Sequence, residues 1–103
     1  MIKNDNGEAA AAFYDKRRKW LDYVCERPGI GHATFRVGFF IAMRMNGNDQ
    51  ASWYSVRQIA KRLSMSTHTV SHAIMELERE GLLIPVRTLG RRSSYLISLP
   101  FEV

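Results

Sequence analysis

Residues 55–81 contain two short amphipathic patterns separated by only two or three residues, and this arrangement restricts the possible folds more than any other feature. The first pattern begins at Ser55, and Gln58 completes a capping box that favours the start of a helix. The second begins at Ser66, a good helix N-cap, and Gly81 supplies a left-handed residue at its end. Apolar residues recur at i, i+3, i+4 and i+7 in both patterns: Val56, Ile59, Ala60 and Leu63, then Val70, Ala73, Ile74 and Leu77. The sequence therefore predicts two helices that pack against each other across a tight turn.

The N-terminal part of the chain predicts two further helices before this pair. A helix is predicted from about residue 8 to 26, because the alanines at 9–12 have the highest helix propensity. The polar residues 1–7 are expected to fray. The apolar residues of this helix fall on two adjacent stripes, one with Phe13, Trp20 and Val24 and one with Tyr14, Leu21 and Cys25. Cys25 is expected to be a small core residue. A second helix, apolar nearly all round and therefore expected to be buried, is predicted at 33–46.

After the paired helices the apolar period changes and predicts a β-hairpin. Strands are predicted at 82–87 and 94–99, joined by a basic tip that contains a glycine. Pro85 places the first strand at a sheet edge, because proline cannot donate a ladder hydrogen bond. In the second strand, Tyr95, Ile97 and Leu99 alternate with Ser94, Leu96 and Ser98. A very short strand is also predicted at residues 53–54.

Together these elements predict a mainly α fold with a small antiparallel β-hairpin. Residues 1–32 are predicted to form a polar N-terminus and an N-terminal helix, and residues 33–103 the main domain. The single cysteine leaves no internal disulfide and fits a reducing compartment. The first ten residues lack the apolar core of a signal peptide, and the longest apolar run, VGFFIAM, is too short to span a bilayer. We therefore expect a cytoplasmic protein without a membrane partner.

The charge pattern favours an anionic partner, with nucleic acid before an anionic membrane, because the formal net charge is +5. No Asp or Glu occurs between Gln50 and Met75, whereas Arg57, Lys61 and Arg62 do. The fourth predicted helix starts with short polar side chains: Ser66, Thr67, His68, Thr69, Ser71 and His72. Such side chains let a helix enter the major groove, where hydroxyl and imidazole groups bond base edges. Acidic residues return only in its last turns, which are expected to be a solvated helix end: Glu76, Glu78 and Glu80.

The segment SVRQIAKRLSMSTHTVSHAIMELEREGLL, residues 55–83, resembles the helix-turn-helix of winged-helix bacterial regulators. It is similar to GntR-type DNA-binding domains and to winged helices of plasmid and phage proteins, and the likeness extends over roughly residues 33–99. The resemblance implies a winged helix-turn-helix with an extra N-terminal helix, a recognition helix at about 66–80 in the major groove, and a wing at about 88–93 on the DNA backbone or in the minor groove. The predicted DNA-binding residues are Ser55, Arg57, Ser66, Thr67, His68, Thr69, Ser71, His72, Arg91 and Arg92.

Three residues depart from the pattern of these regulators. Ser64 stands in the inter-helix turn where the family usually has glycine, and a left-handed serine there costs roughly 1 kcal/mol. His68 and His72 stand where the family often has Arg or Lys. Because imidazole gains charge in mild acid, we expect DNA binding that strengthens below about pH 6.5.

These observations predict a sequence-specific double-stranded DNA-binding protein that acts as a bacterial, phage or plasmid transcriptional regulator. Two alternatives remain open. One is a winged-helix module that binds other proteins through the N-terminal helix and an aromatic surface. The other is a plasmid or phage DNA-binding protein of replication or segregation. The aromatic surface of the first alternative would contain Trp20, Tyr23, Trp53 and Tyr54.

The only partner other than DNA that this interpretation considers is a second copy of the chain. The N-terminal helix either forms a homodimer or packs on its own domain, and the sequence leaves both open. His68 and His72 are four residues apart, a spacing that can hold zinc, but no third ligand is near them and no metal site is expected. No set of nucleophile and base and no cofactor loop is recognisable, so we expect neither enzyme activity nor a cofactor. No ligand-binding domain follows the predicted wing, so no small-molecule effector is expected.

Overall fold

Four α-helices precede a two-stranded antiparallel sheet in the part of the chain that the structure describes. The computed structural model describes residues 2–47, 54–86 and 94–101, with side chains from residue 7 onward. The helices are α1 (Ile2–Glu26), α2 (His32–Met43), α3 (Val56–Leu63) and α4 (Thr67–Arg79), and the strands are β1 (Leu83–Val86) and β2 (Ser94–Ile97). This order confirms the predicted mainly α fold with a small hairpin, which is the architecture of a winged helix-turn-helix with an extra N-terminal helix.

The start and end of α3 follow the local chemistry of the sequence. The backbone N–H of Gln58 donates to Ser55 Oγ over 3.1 Å, and the N–H of Ser55 donates to Gln58 Oε1 over 2.8 Å, which confirms the capping box. The helix ends at Ser64, whose φ of 57° is left-handed. A serine in this conformation costs roughly 1 kcal/mol relative to an unstrained residue, so the turn between α3 and α4 stores a small strain.

The end of α4 turns the chain into the hairpin through a glycine. Gly81 has a φ of 78°, and its N–H donates to the carbonyl of Glu78 over 3.0 Å. The N–H of Leu82 reaches back to the carbonyl of Leu77 over 2.9 Å. These two bonds form a Schellman motif, which satisfies carbonyl groups that the helix end would otherwise leave without partners. The predicted role of Gly81 is confirmed.

Trp20 anchors α1 to the rest of the domain. Its side chain is fully buried, and its Nε1–H donates to the backbone carbonyl of Leu82 over 2.9 Å. The outer edge of its ring lies against Gly38 of α2, where an added Cβ would be only 3.1 Å from Trp20 Cη2. Phe13 and Val24 of the same stripe are also buried, as the periodicity of the sequence predicts.

Three further contacts hold α1 along its length. Arg17 donates to the carbonyl of Met45 over 3.1 Å, and the Tyr14 hydroxyl accepts the N–H of Gly47 over 3.0 Å. At its C-terminal end, Arg27 donates to Glu80 through Nη2 over 2.8 Å and through Nε over 3.0 Å. Packing of the N-terminal helix on its own domain, one of the two alternatives left open by the sequence, is therefore observed. The boundary predicted between residues 32 and 33 stays a prediction.

The outward side of α1 is polar, and one residue predicted to be in the core lies on it. Cys25 is exposed, so its predicted burial is wrong. The helix buries only the stripe of Trp20 and Val24, and Cys25 is rotated by about 100° from Val24. On the same exposed side, Lys19 and Arg18 bind the Asp15 carboxylate over 3.0 and 2.9 Å and lower the pKa of Asp15 from its usual value.

Two helix boundaries differ from the predicted ones. The α1 backbone is helical from Ile2, so the predicted helix start at about residue 8 is wrong; no proline interrupts residues 2–7. The expected fraying of this end stays a prediction. The second helix ends at Met43 instead of residue 46, because Arg44 and Met45 donate to carbonyls three residues back and tighten the last turn. No helix within the described ranges combines the length and apolar character required to cross a bilayer.

The hairpin follows the predicted alternation with one exception. Leu83 pairs with Ile97 and Pro85 with Tyr95 in an antiparallel register, and β1 pairs only with β2 in the described sheet, which fits a proline at an edge. Tyr95, Ile97 and Leu99 are buried as predicted. Ser94, predicted to alternate with them, is instead only 2% exposed, and its hydroxyl donates to the Val86 carbonyl over 3.5 Å. The buried hydroxyl is tolerated because it has this acceptor.

The two remaining predictions about local structure concern the segments that join these elements. Of the short strand predicted at residues 53–54, Trp53 lies outside the described residues, and Tyr54 is not in a strand. The predicted hairpin tip at 88–93 also lies outside the described residues.

Candidate nucleic-acid interface

The helix α4 is held from behind by an apolar face. Val70, Ala73, Ile74 and Leu77 are all buried, as the i, i+3, i+4 and i+7 pattern predicts. This face packs mainly against α2, with further contacts to α3 and β1. The burial fixes the rotation of the helix about its own axis, so the opposite face must point to solvent.

The outward face of α4 carries the predicted polar side chains. Thr67, His68 and His72 are exposed, and Ser71 is half-buried on the same side. The rings of His68 and His72 lie with their centroids 6.4 Å apart, one turn from each other. The first two turns of α4 therefore present hydroxyl and imidazole groups to solvent, of which only the Ser71 hydroxyl is partly covered.

The N-terminal turn of α4 is closed by a pair of hydroxyl groups. Ser66 Oγ accepts the backbone N–H of Thr69 over 3.0 Å, which confirms Ser66 as the N-cap. The Ser66 hydroxyl also donates to Thr69 Oγ1 over 2.9 Å. The hydroxyl proton of Ser66 is therefore used within the chain, and the proton of the half-buried Thr69 hydroxyl is the one left to donate to a phosphate.

A shallow cleft adjoins this face where α4 meets the start of α2. Its volume is about 270 Å³, and Ala33, Thr34, His68, Thr69, His72 and Ala73 line it. The cleft brings three of the predicted site residues together with the N-terminal turn of α2, whose first N–H groups have no partner within the helix. The arrangement suits an oxygen-rich anionic surface.

Two predicted site residues lie on α3. Ser55 is half-buried and acts as the N-cap, so its hydroxyl oxygen already accepts a backbone N–H. Arg57 is exposed in the first turn, and Lys61 and Arg62 are exposed near the end of the helix. This helix has no acidic residue, so its exposed charges are all positive.

Two acidic residues at the end of α4 contact other parts of the chain, although a solvated helix end was predicted. Glu76 accepts a hydrogen bond from the Thr34 hydroxyl over 2.6 Å and is half-buried. Glu80 pairs with Arg27, and their hydrogen bond raises the pKa of Arg27. These two carboxylates connect α4 to α2 and α1. The prediction failed because both partners are more than 40 residues away along the chain.

Two side chains on the outward face of α4 are absent from the predicted site. Met75 is 58% exposed, and Arg79 is exposed one turn further on. Met75 follows His72 by three residues and Arg79 follows Met75 by four, so helical periodicity alone indicates them. They extend the outward face along the full length of α4, which is about 20 Å for 13 residues.

The structure also bears on the other predicted surfaces. Arg91 and Arg92 lie outside the described residues. Trp20, assigned by the protein-binding alternative to a partner surface, is fully buried and cannot contribute to one. Tyr23 is half-buried against Phe101. Among the residues that the structure describes, no group of three His, Cys, Asp or Glu side chains could hold a metal ion.

Comparison with known proteins adds one finding. The chain matches the model of a protein family described as a helix-turn-helix domain over residues 29–83, which include α2, α3 and α4 and reach the first residue of β1. No curated protein matches the chain.

Proposed function

Because the match covers more than half of the chain, the protein belongs to this helix-turn-helix domain family and carries a DNA-binding domain, and we propose that it binds double-stranded DNA sequence-specifically through α4. In this proposal α4 lies in the major groove, with its first two turns against the base edges. The wing at residues 88–93 lies on the backbone or in the adjacent minor groove.

The observation that carries the proposal is the contrast between the two faces of α4. One face is buried over its whole length, and the other presents short hydroxyl and imidazole side chains to solvent. Short side chains allow the helix backbone to approach the groove floor, and their polar atoms can donate to or accept from base edges.

Electrostatics supports the same orientation. The sequence has no acidic residue from 51 to 74, while Arg57 and Lys61 are exposed on α3. Anions are favoured at the N-terminus of a helix, because the first N–H groups point outward there. In this proposal Thr69 at the start of α4 and Arg57 at the start of α3 each contact a phosphate. Arg91 and Arg92 would add phosphate or minor-groove contacts from the wing.

The biological role that we propose is transcriptional regulation in a bacterium, phage or plasmid, in the cytoplasm. A role in plasmid or phage replication or segregation would use the same contacts. We further propose a homodimer through α1, which would place two copies of α4 about one DNA turn apart on a palindromic site. The outward side of α1 that remains for such a contact is charged, and light scattering of the full chain tests it: a monomer at working concentration contradicts the dimer.

Selection of bound sequences from a random duplex pool tests the proposed function. We expect a conserved motif to emerge from the selection, and affinity for it to fall steeply between low and moderate salt. Thr67→Ala or His72→Ala should change the preferred bases, whereas Arg57→Ala should weaken binding to all duplexes about equally. Arg18→Ala is the matched control, because it removes the same charge from the outward side of α1 and should have a smaller effect. Absence of any enriched motif would overturn the sequence specificity.

A further inference from the structure

An apolar groove lies between α2 and the end of α3, and none of its lining residues belongs to α4. We call it the aromatic groove; its volume is about 400 Å³, and Phe35, Arg36, Phe39, Phe40, Arg44 and Leu63 line it. The predicted burial of α2 all round is wrong here, because Phe39 is 44% exposed and Met43 beside it is also exposed. Exposed phenylalanine rings are costly in water unless a partner covers them.

Three arginines surround the aromatic groove and form its rim, and two of them are held by contacts with the Phe40 ring. The Arg44 guanidinium carbon lies 4.0 Å from the centroid of the Phe40 ring, and that of Arg62 lies 5.5 Å from the same ring. Arg36 is exposed at the other end of the groove. None of these three arginines forms an ion pair with a carboxylate among the residues that the structure describes. The rim therefore offers preorganised positive charge around an apolar centre.

The spacing of the rim charges along α2 defines the shape of a complementary ligand. Arg36 in α2 and Arg44 at its C-cap are eight residues apart, so their Cα atoms are separated by about 12 Å along the helix axis. A helix laid along the groove matches this spacing with two acidic residues seven or eight positions apart and an apolar side chain between them. Such helix-in-groove binding uses apolar anchors at one face and charges at the rim.

We propose that the aromatic groove is the docking site for an acidic amphipathic helix of a partner protein. The apolar side chain of this helix would cover Phe39, and its carboxylates would pair with Arg36 and Arg44. None of the residues that line the groove is among the predicted DNA-binding residues, so we expect the protein to hold DNA and the partner at the same time. An interaction of this kind would connect a DNA-bound protein to another component of its assembly.

Single-stranded nucleic acid, the other polyanion with apolar surfaces, fits the groove less well. Binding of successive bases requires flat aromatic faces on which they can stack. The rings of Phe35 and Phe39 are tilted by 48° with their centroids 6.1 Å apart, so they do not form a parallel platform. The Phe40 ring is buried and already contacted by two guanidinium groups and by the edge of Tyr54.

The test is a selection of binders to the full chain from a displayed library of random peptides, with Phe39→Ser used for counter-selection. We expect enriched peptides with acidic residues on both sides of an aromatic or leucine anchor. For one enriched peptide, fluorescence anisotropy should show an affinity loss of about tenfold or more for Phe39→Ser. Arg36→Glu and Arg44→Glu should each weaken binding at least about fivefold.

Controls separate this proposal from its alternatives. Met75→Ser changes a similarly exposed apolar residue on α4 and should leave peptide binding unchanged. Phe39→Ser should leave duplex binding unchanged. Circular dichroism should show that the Phe39→Ser variant folds. Enriched peptides without acidic residues, or none that distinguish Phe39→Ser from the unchanged protein, would overturn the proposal. Binding of an oligo-dT that displaces the peptide would also overturn the proposal, because the groove would then bind nucleic acid. Self-association that light scattering detects and Phe39→Ser abolishes would overturn it as well, because the groove would then bind a second copy of the chain.

Discussion

The contact between Trp20 and Gly38 predicts a specific energetic coupling between α1 and α2. A Cβ added at Gly38 would lie 3.1 Å from Trp20 Cη2 and 3.3 Å from Leu77 Cδ1, closer than ordinary van der Waals contact. The Leu77 methyl can rotate away, but the indole is rigid and its Nε1–H is bound to the Leu82 carbonyl over 2.9 Å. Overpacking of this kind costs typically about 1–3 kcal/mol.

The net effect of Gly38→Ala follows from two opposing contributions. Alanine is favoured over glycine inside a helix by about 1 kcal/mol, so we expect a net loss of roughly 1 kcal/mol in the free energy of unfolding. In a Trp20→Phe background the outer ring atoms of the indole are absent, and the same substitution should stabilise by up to about 1 kcal/mol. The coupling between the two positions is then about 2 kcal/mol.

Urea unfolding followed by far-ultraviolet circular dichroism measures this coupling in a double-mutant cycle. Trp20→Phe alone should be destabilising, because it removes one of the two hydrogen bonds that the Leu82 carbonyl accepts, the other coming from the Ser98 N–H over 2.9 Å. The lost hydrogen bond alone costs about 0.5–1.5 kcal/mol, and the smaller ring also leaves a cavity. Equal effects of Gly38→Ala in both backgrounds would refute the reasoning, since additive changes mean that the two residues do not contact each other.

Two other predictions concern the turn and the wing. Ser64→Gly should raise the free energy of unfolding by roughly 1 kcal/mol, because glycine adopts the left-handed conformation without side-chain strain. An unchanged midpoint of urea unfolding would contradict this prediction. Replacing both Arg91 and Arg92 with Ala should weaken binding to every duplex and reduce the slope of log affinity against log salt by about two, as fluorescence anisotropy across a salt series would show.

The helix-turn-helix itself was predictable because its signals are local. The capping box of Ser55 and Gln58, the N-cap at Ser66 and the left-handed Gly81 each act within four residues, and all are present in the structure. The apolar periodicity then fixes which face of each helix is buried. The outward orientation of the polar residues of α4 follows directly, although their contact with DNA does not.

Features that depend on distant parts of the chain were not predictable in the same way. Cys25 and Val24 lie on neighbouring apolar stripes of α1, and only the position of α2 and β1 around Trp20 decides which stripe is buried. The hydrogen bond from Trp20 to Leu82 joins residues 62 positions apart. Helical periodicity gives the width of an apolar face but not the partner that covers it.

Ser94 and Phe39 show the same limit in opposite directions. Alternation placed Ser94 outside, yet it is buried where its hydroxyl finds the Val86 carbonyl. The apolar sequence of α2 predicted that Phe39 is buried. It is instead exposed, and other residues form the buried face of α2. A residue whose exposure contradicts its polarity identifies either a local hydrogen bond, as for Ser94, or a surface left for a partner, as we propose for Phe39.

The central claim is that the outward face of α4 contacts duplex DNA. A nuclear magnetic resonance titration of the full chain with the selected duplex, read from backbone amide shifts, tests it most directly. We expect the largest shifts at Thr67, His68, Ser71 and His72, with the outward side of α1 and the aromatic groove unchanged. Amides of α4 that stay in place while those of α1 or the groove move would contradict the account.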